Sequence, residues 1–123
     1  MAYSDRYLLF IEYFNNLRFT SAQSTLDEVW LEETGHDKNF YGGLVQLAVS
    51  MYHLTSDNPQ GAKKIFEKAQ EMLLPFGETY QGIRIHDLLK NILALFETPT
   101  AEKPSNMDYL RRIPRITFEG SLD

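Results

Sequence analysis

No cysteine occurs among the 123 residues of this chain. That one absence excludes a disulfide framework, a thiolate metal site and a cysteine nucleophile, while leaving the redox compartment open. Cations are in deficit: 12 Lys and Arg stand against 17 Asp and Glu, for a net charge of −5. A nucleic-acid partner is therefore not expected, because displacing counterions from phosphates needs clustered Lys and Arg, and an anionic membrane surface is disfavoured likewise. No apolar run approaches the roughly 20 residues that cross a bilayer. The stretch MAYSDRYLLFIEYF carries acidic residues within its apolar run and no small-residue cleavage site, so it does not read as a secretory signal. A soluble, cytoplasmic protein is the expectation. What the chain does have is 43% hydrophobic and 13% aromatic residues, enough to offset the conformational entropy of one folded domain of this length.

The apolar residues recur at helical spacing. Ser4 and Asp5 mark a helix start, followed by Tyr7, Phe10, Ile11, Phe14 and Leu17. Thr20 or Ser21 can cap a second helix, in which Ala22, Leu26, Val29, Trp30 and Glu33 share a side. Gly35 stops it, and a third, very apolar helix runs from Lys38 or Asn39 to about Ser56. The fourth opens on Asp57 or Asn58 with Pro59 in its first turn; Ala62, Ile65, Phe66, Ala69, Met72 and Leu73 form its buried stripe. Its opposite face, with Lys63, Lys64, Glu67 and Lys68, reads as solvated surface. Pro75 and Gly77 end it, and a fifth helix carries Ile85, Leu88, Leu89, Ile92 and Leu95 or Phe96. Residues 1–97 thus read as one helical domain. Pro99, Pro104 and Pro114 predict an irregular tail over residues 98–123, part of which, LRRIPRITF, is apolar enough to dock.

Ala22, Leu26 and Val29 match Ala62, Phe66 and Ala69 at a constant offset of 40. Such a repeat resembles the second helix of tetratricopeptide units, where a small residue lets two helices approach closely. The expected fold is all-α: a five-helix bundle of two stacked helical hairpins, a capping fifth helix and the tail.

Three blocks carry a more specific resemblance: LDEVW closing the second helix, GGLVQLAVSMYHL in the third and NPQGAKKIFEKA in the fourth. From about Phe14 to Leu95 the chain resembles the helical family known as domain of unknown function 309. The resemblance implies a compact all-α fold and no particular reaction. Members of that family typically read near E-A-H-E-x-L-E-x-x-W in the second helix. Here Ser21, Gln23 and Ser24 replace the first glutamate, the histidine and the second glutamate, while Asp27 and Trp30 remain in place.

On the third helix Gly43, Gln46, Ser50, His53 and Asp57 follow steps of three or four and form one small, polar line. Two readings follow. In one, the line faces water or is satisfied by hydrogen bonds between helices. In the other, it lines a pocket against the second helix, where Asp27 or Glu28 orients His53 and Trp30 forms an apolar wall. No histidine has a second ligand one turn away, no G-x-S-x-G elbow is present and no phosphate loop occurs, so neither a metal, a cofactor nor a catalytic set is expected. The leading expectation is a non-enzymatic accessory or protein-interaction module with a protein or peptide partner, using Asp27, Glu28, Trp30, Gln46, Ser50 and His53. The alternative is a small-molecule-binding or hydrolytic protein that pairs His53 with Asp27 or Glu28. A homo-oligomer packing Tyr3, Tyr7 and Tyr80 between subunits is the third.

Overall fold

A computed structural model describes residues 3–97 and 106–120, and side chains from 109 onward in the second segment. The predicted elements that fall on residues 98–105 and 121–123, Pro99 and Pro104 included, lie outside the described residues. The fold is all-α, with five helices where the periodicity places them and a sixth in the tail: α1 Asp5–Asn15, α2 Phe19–Glu32, α3 Lys38–Thr55, α4 Pro59–Leu73, α5 Ile85–Glu97 and α6 Asn106–Arg112.

The first four helices pack in chain order, α1 on α2, α2 on α3 and α3 on α4, so that α3 runs between its two neighbours. Local chemistry sets their ends. The Ser4 hydroxyl accepts from the Tyr7 amide and caps α1, while Asn58 Oδ1 accepts from the Gly61 amide and caps α4 ahead of Pro59. The second helix departs from expectation. It starts at Phe19 after an uncapped Arg18, not at Thr20 or Ser21, because Phe19 is buried edge-on against Phe14 at 5.2 Å. Apolar burial here outweighs a hydroxyl cap. Leu17 leaves the stripe of α1 for the same junction: it is 39% exposed, at φ +63°.

α3 is the centre of the core, where Leu44, Leu47 and Met51 are fully buried with Leu26, Phe66 and Ala69. Two adjacent glycines let it sit close to its neighbours. A methyl group on Gly43 would lie 2.5 Å from Leu73 Cγ, and one on Gly42 would lie 2.7 Å from Met72 Cε and 2.8 Å from Trp30 Nε1. The repeat is thus visible as packing: Ala22 and Leu26 on one side of α3 and Ala62 and Phe66 on the other are all fully buried.

A two-residue-per-strand hairpin precedes α5, β1 Thr79–Tyr80 and β2 Ile83–Arg84, and was not anticipated. Its turn has Gln81 at φ +44° and Gly82 at φ +78°, the pair of left-handed residues that tight hairpins use. The tail docks on it. Phe118 bridges Ile83, the Glu119 amide donates to the Gly82 carbonyl at 2.7 Å, and Ile113 and Ile116 enter the core. Asn15 clasps the tail from α1, with Nδ2 donating to the Ile116 carbonyl and Oδ1 accepting from its amide.

Candidate functional site

The polar line expected along α3 divides in two. Gly43 and Ser50 point into α4: Gly43 meets Leu73, and the fully buried Ser50 hydroxyl donates to the Ala62 carbonyl at 2.7 Å. Asp57 lies beyond the helix at φ +64°. Gln46 and His53 instead belong with Gly42. Positions 42, 46, 49 and 53 fall within one narrow strip of a helix with 3.6 residues per turn. Because the Cα of Gly42 faces both Trp30 and Met72, that strip looks into the gap between α2 and α4.

The flanking helices complete the same side. On α2, Gln23, Asp27 and Trp30 are half-buried and share a face; on α4, Ile65 and Met72 do; on α3, Gln46, Val49 and His53 do. By helix geometry these strips flank a shallow groove floored by α3 and walled by α2 and α4, with Trp30 and Met72 converging over Gly42 at one end. Its lining is mixed: amides at Gln23 and Gln46, apolar groups at Val49, Ile65 and Met72, an indole, a carboxylate and an imidazole.

Register decides which polar groups meet. α2 and α3 run antiparallel, with Trp30 against Gly42 at one end and Thr20 and Ser21 sharing a cleft with Tyr52, Thr55 and Ser56 at the other. Counting inward from Trp30 sets Asp27 level with Gln46, and His53 about two turns, roughly 10 Å, farther along. The expected pairing of His53 with Asp27 is therefore not assembled. His53 instead has Asn58 beside it, the Asn58 Nδ2 lying 3.4 Å from His53 Nδ1. The pairing with Glu28 fails for a different reason: Glu28 is exposed on the far face of α2, 3.1 Å from Arg6 of α1, in an open cleft with Leu9, Ser24 and Thr25.

Among the described residues Asp27 is the one carboxylate on this face. Partial burial raises its pKa, and the Gln23 side chain one turn earlier works in the opposite direction. None of the four ion pairs formed among the described residues includes it. Trp30 is packed against the core without being enclosed by it, and its carbonyl accepts from Lys38 Nζ at 2.9 Å, which ties the end of α2 to the start of α3.

A second polar constellation went unread in the sequence. Asp37, at the start of α3, accepts hydrogen bonds from the Tyr80 hydroxyl and, at 3.0 Å, from Gln81 Nε2. Gln81 Nε2 also donates to the Tyr41 hydroxyl, and the Tyr7 hydroxyl donates to the Gln81 carbonyl at 2.7 Å. The hydrogen bond to Asp37, with some burial, pushes the Tyr80 phenol up to about 12, and burial raises Tyr7 and Tyr41 as well. Its members bond one another, so it serves as a latch for the hairpin. Tyr7, with Tyr3 stacked on it at 5.8 Å, and Tyr80, edge-on to Phe40 at 4.9 Å, are thus used within the chain and are not the exposed aromatics expected to join subunits.

Comparison with known proteins gives one family match. The family described as "Domain of unknown function (DUF309)" matches residues 7–65, a little under half of the chain. Over that stretch the chain is similar to domain of unknown function 309. The match starts before Phe14 and stops within α4, so the rest of α4, the hairpin, α5 and the tail fall outside the matched stretch. The matched segment carries every groove position except Met72. Of the three places where α2 departs from the family's usual motif, only Gln23 faces the groove. Ser24 lines the α1–α2 cleft and Ser21 the cleft at the far helix ends. No curated protein and no solved structure matches the chain.

Proposed function

We propose that this chain is a non-catalytic protein-interaction module that binds a peptide segment of a partner along the α2–α3–α4 groove, in the manner of a tetratricopeptide-like hairpin pair. The observation that carries this reading is the set of three aligned, half-buried stripes, Gln23, Asp27 and Trp30, then Gln46, Val49 and His53, then Ile65 and Met72. Apolar area for affinity, interspersed with amides that can bond an extended main chain, is the composition of a peptide groove. The absence of an assembled acid–base pair along it favours binding over turnover, since His53 and Asp27 stand two turns apart. Glu28 and Ser50 have no place in the groove and drop out of the proposed contact set.

The sole tryptophan of the chain sits at one end of the groove. A random peptide library displayed on phage and panned against the whole chain, followed by titration of the selected peptides while Trp30 emission is recorded, tests the reading. Saturable binding that shifts the emission and is lost in Val49→Lys, once circular dichroism has shown that variant to be folded, is the expected result. Peptides whose affinity ignores Val49→Lys would place recognition elsewhere on the molecule.

A further inference from the structure

Among the described residues the groove has one carboxylate, Asp27, and no cation pairs with it. Its acidic neighbours Glu28 and Glu32 have Arg6, and Asp37 has Tyr80 and Gln81. Asp27 has only a neutral hydrogen-bonding neighbour, the Gln23 side chain one turn earlier. No cation among the described residues comes within ion-pair distance of it, and partial burial disfavours its charged form. A partly buried carboxylate without a counter-charge is somewhat less favourable in the free protein than in water, and a cationic ligand supplies the missing charge. One turn on, Trp30 offers a partly open indole face, and across the groove Gln46 offers an amide. Carboxylate, indole and amide together suit an alkylammonium or guanidinium with a long apolar stem: the head pairs with the carboxylate and the stem lies on the ring.

We propose that the partner segment carries a lysine or arginine whose charged head seats on Asp27 between Gln46 and Trp30, making the module a reader of basic peptides. The proposal rests on the groove reading and adds the partner's chemistry to it. The chain's overall charge of −5 works in the same direction, steering cationic segments towards it.

The test uses peptides selected from the random library and labelled with fluorescein, with binding followed by anisotropy against the whole chain and its Asp27→Asn variant. The selected sequences are expected to share a Lys or Arg at one position. Replacing that residue by methionine should weaken binding to the unmodified chain about tenfold or more, and to Asp27→Asn less than about twofold, because the charge it answers is already gone. Peptides that bind in the groove without a shared basic residue, or that lose equally on both proteins, overturn the cation seat and leave the groove reading standing. Spermidine displacing every selected peptide at equal affinity would identify a polyamine site and overturn the peptide partner. Failure to enrich any peptide, or self-association of the chain that buries Trp30, overturns both readings.

Discussion

Ser50 shows how a single residue divides a packing role from a recognition role. In the sequence it lies on the same line as Gln46 and His53; on the helix it stands about 40° from Gln46 and about 60° from His53, towards α4, and spends its hydroxyl on the Ala62 carbonyl. Ser50→Ala is therefore expected to lower stability by about 1 kcal/mol in urea melts and to leave peptide affinity unchanged. Reduced affinity at unaltered stability would return Ser50 to the groove. Asp27 behaves in the opposite sense. Its pKa is raised in the folded state, so the charged form is worse tolerated there than in the unfolded chain, and stability falls as pH rises through the carboxylate range. Asp27→Asn should consequently melt at or above the unmodified chain at pH 7, and the gap should close on acidification as the carboxyl takes up its proton. A variant that melts lower at pH 7 would mean that Asp27 has a stabilising partner in the free protein.

At the scale of elements, helices of eleven residues or more were legible because an apolar stripe at 3.6 spacing needs only length to show itself. Ser4 and Asn58 were legible as caps for the same local reason. Two features were not. The start of α2 is set by Phe19 packing on Phe14, a tertiary contact with no local signature. The hairpin has two residues per strand, too few for a period of two to be seen, and its turn is Gln-Gly in place of the Asn-Gly or Asp-Gly that signals a hairpin. What holds the hairpin is the latch to Asp37. Tyr80→Phe removes the donor to that carboxylate and is expected to cost about 1–2 kcal/mol. The phenol stabilises the fold in its protonated form, so its contribution is intact below its ordinary value of 10.0 and is lost as pH rises past about 12. Thermal melts between pH 7 and pH 12 should show that alkaline loss shrinking in Tyr80→Phe. Identical profiles for the two proteins would remove Tyr80 from the latch.

For the molecule as a whole, the sequence carried the fold class, the internal repeat and the inventory of groove side chains, but not their assembly. Gln46, His53, Asp27 and Trp30 were each recognisable as polar or aromatic exceptions on apolar helices. Which of them face one another depends on the antiparallel register of α2 against α3, and that is fixed by Trp30 and Met72 closing over Gly42, a contact among three helices. The same contact gathers three separate amphipathic helices onto one shared face, while the described part of the docked tail, through Ile113, Ile116 and Phe118, packs on the α1 and hairpin side. Amide and indole chemical-shift mapping on titration with a library-selected peptide tests this account most directly. The account predicts that the largest shifts fall on Gln23, Asp27, the Trp30 indole, Gln46, Val49 and Ile65. Shifts confined to Arg6, Leu9, Ser24 and Glu28, or to the hairpin around Arg84, would contradict it.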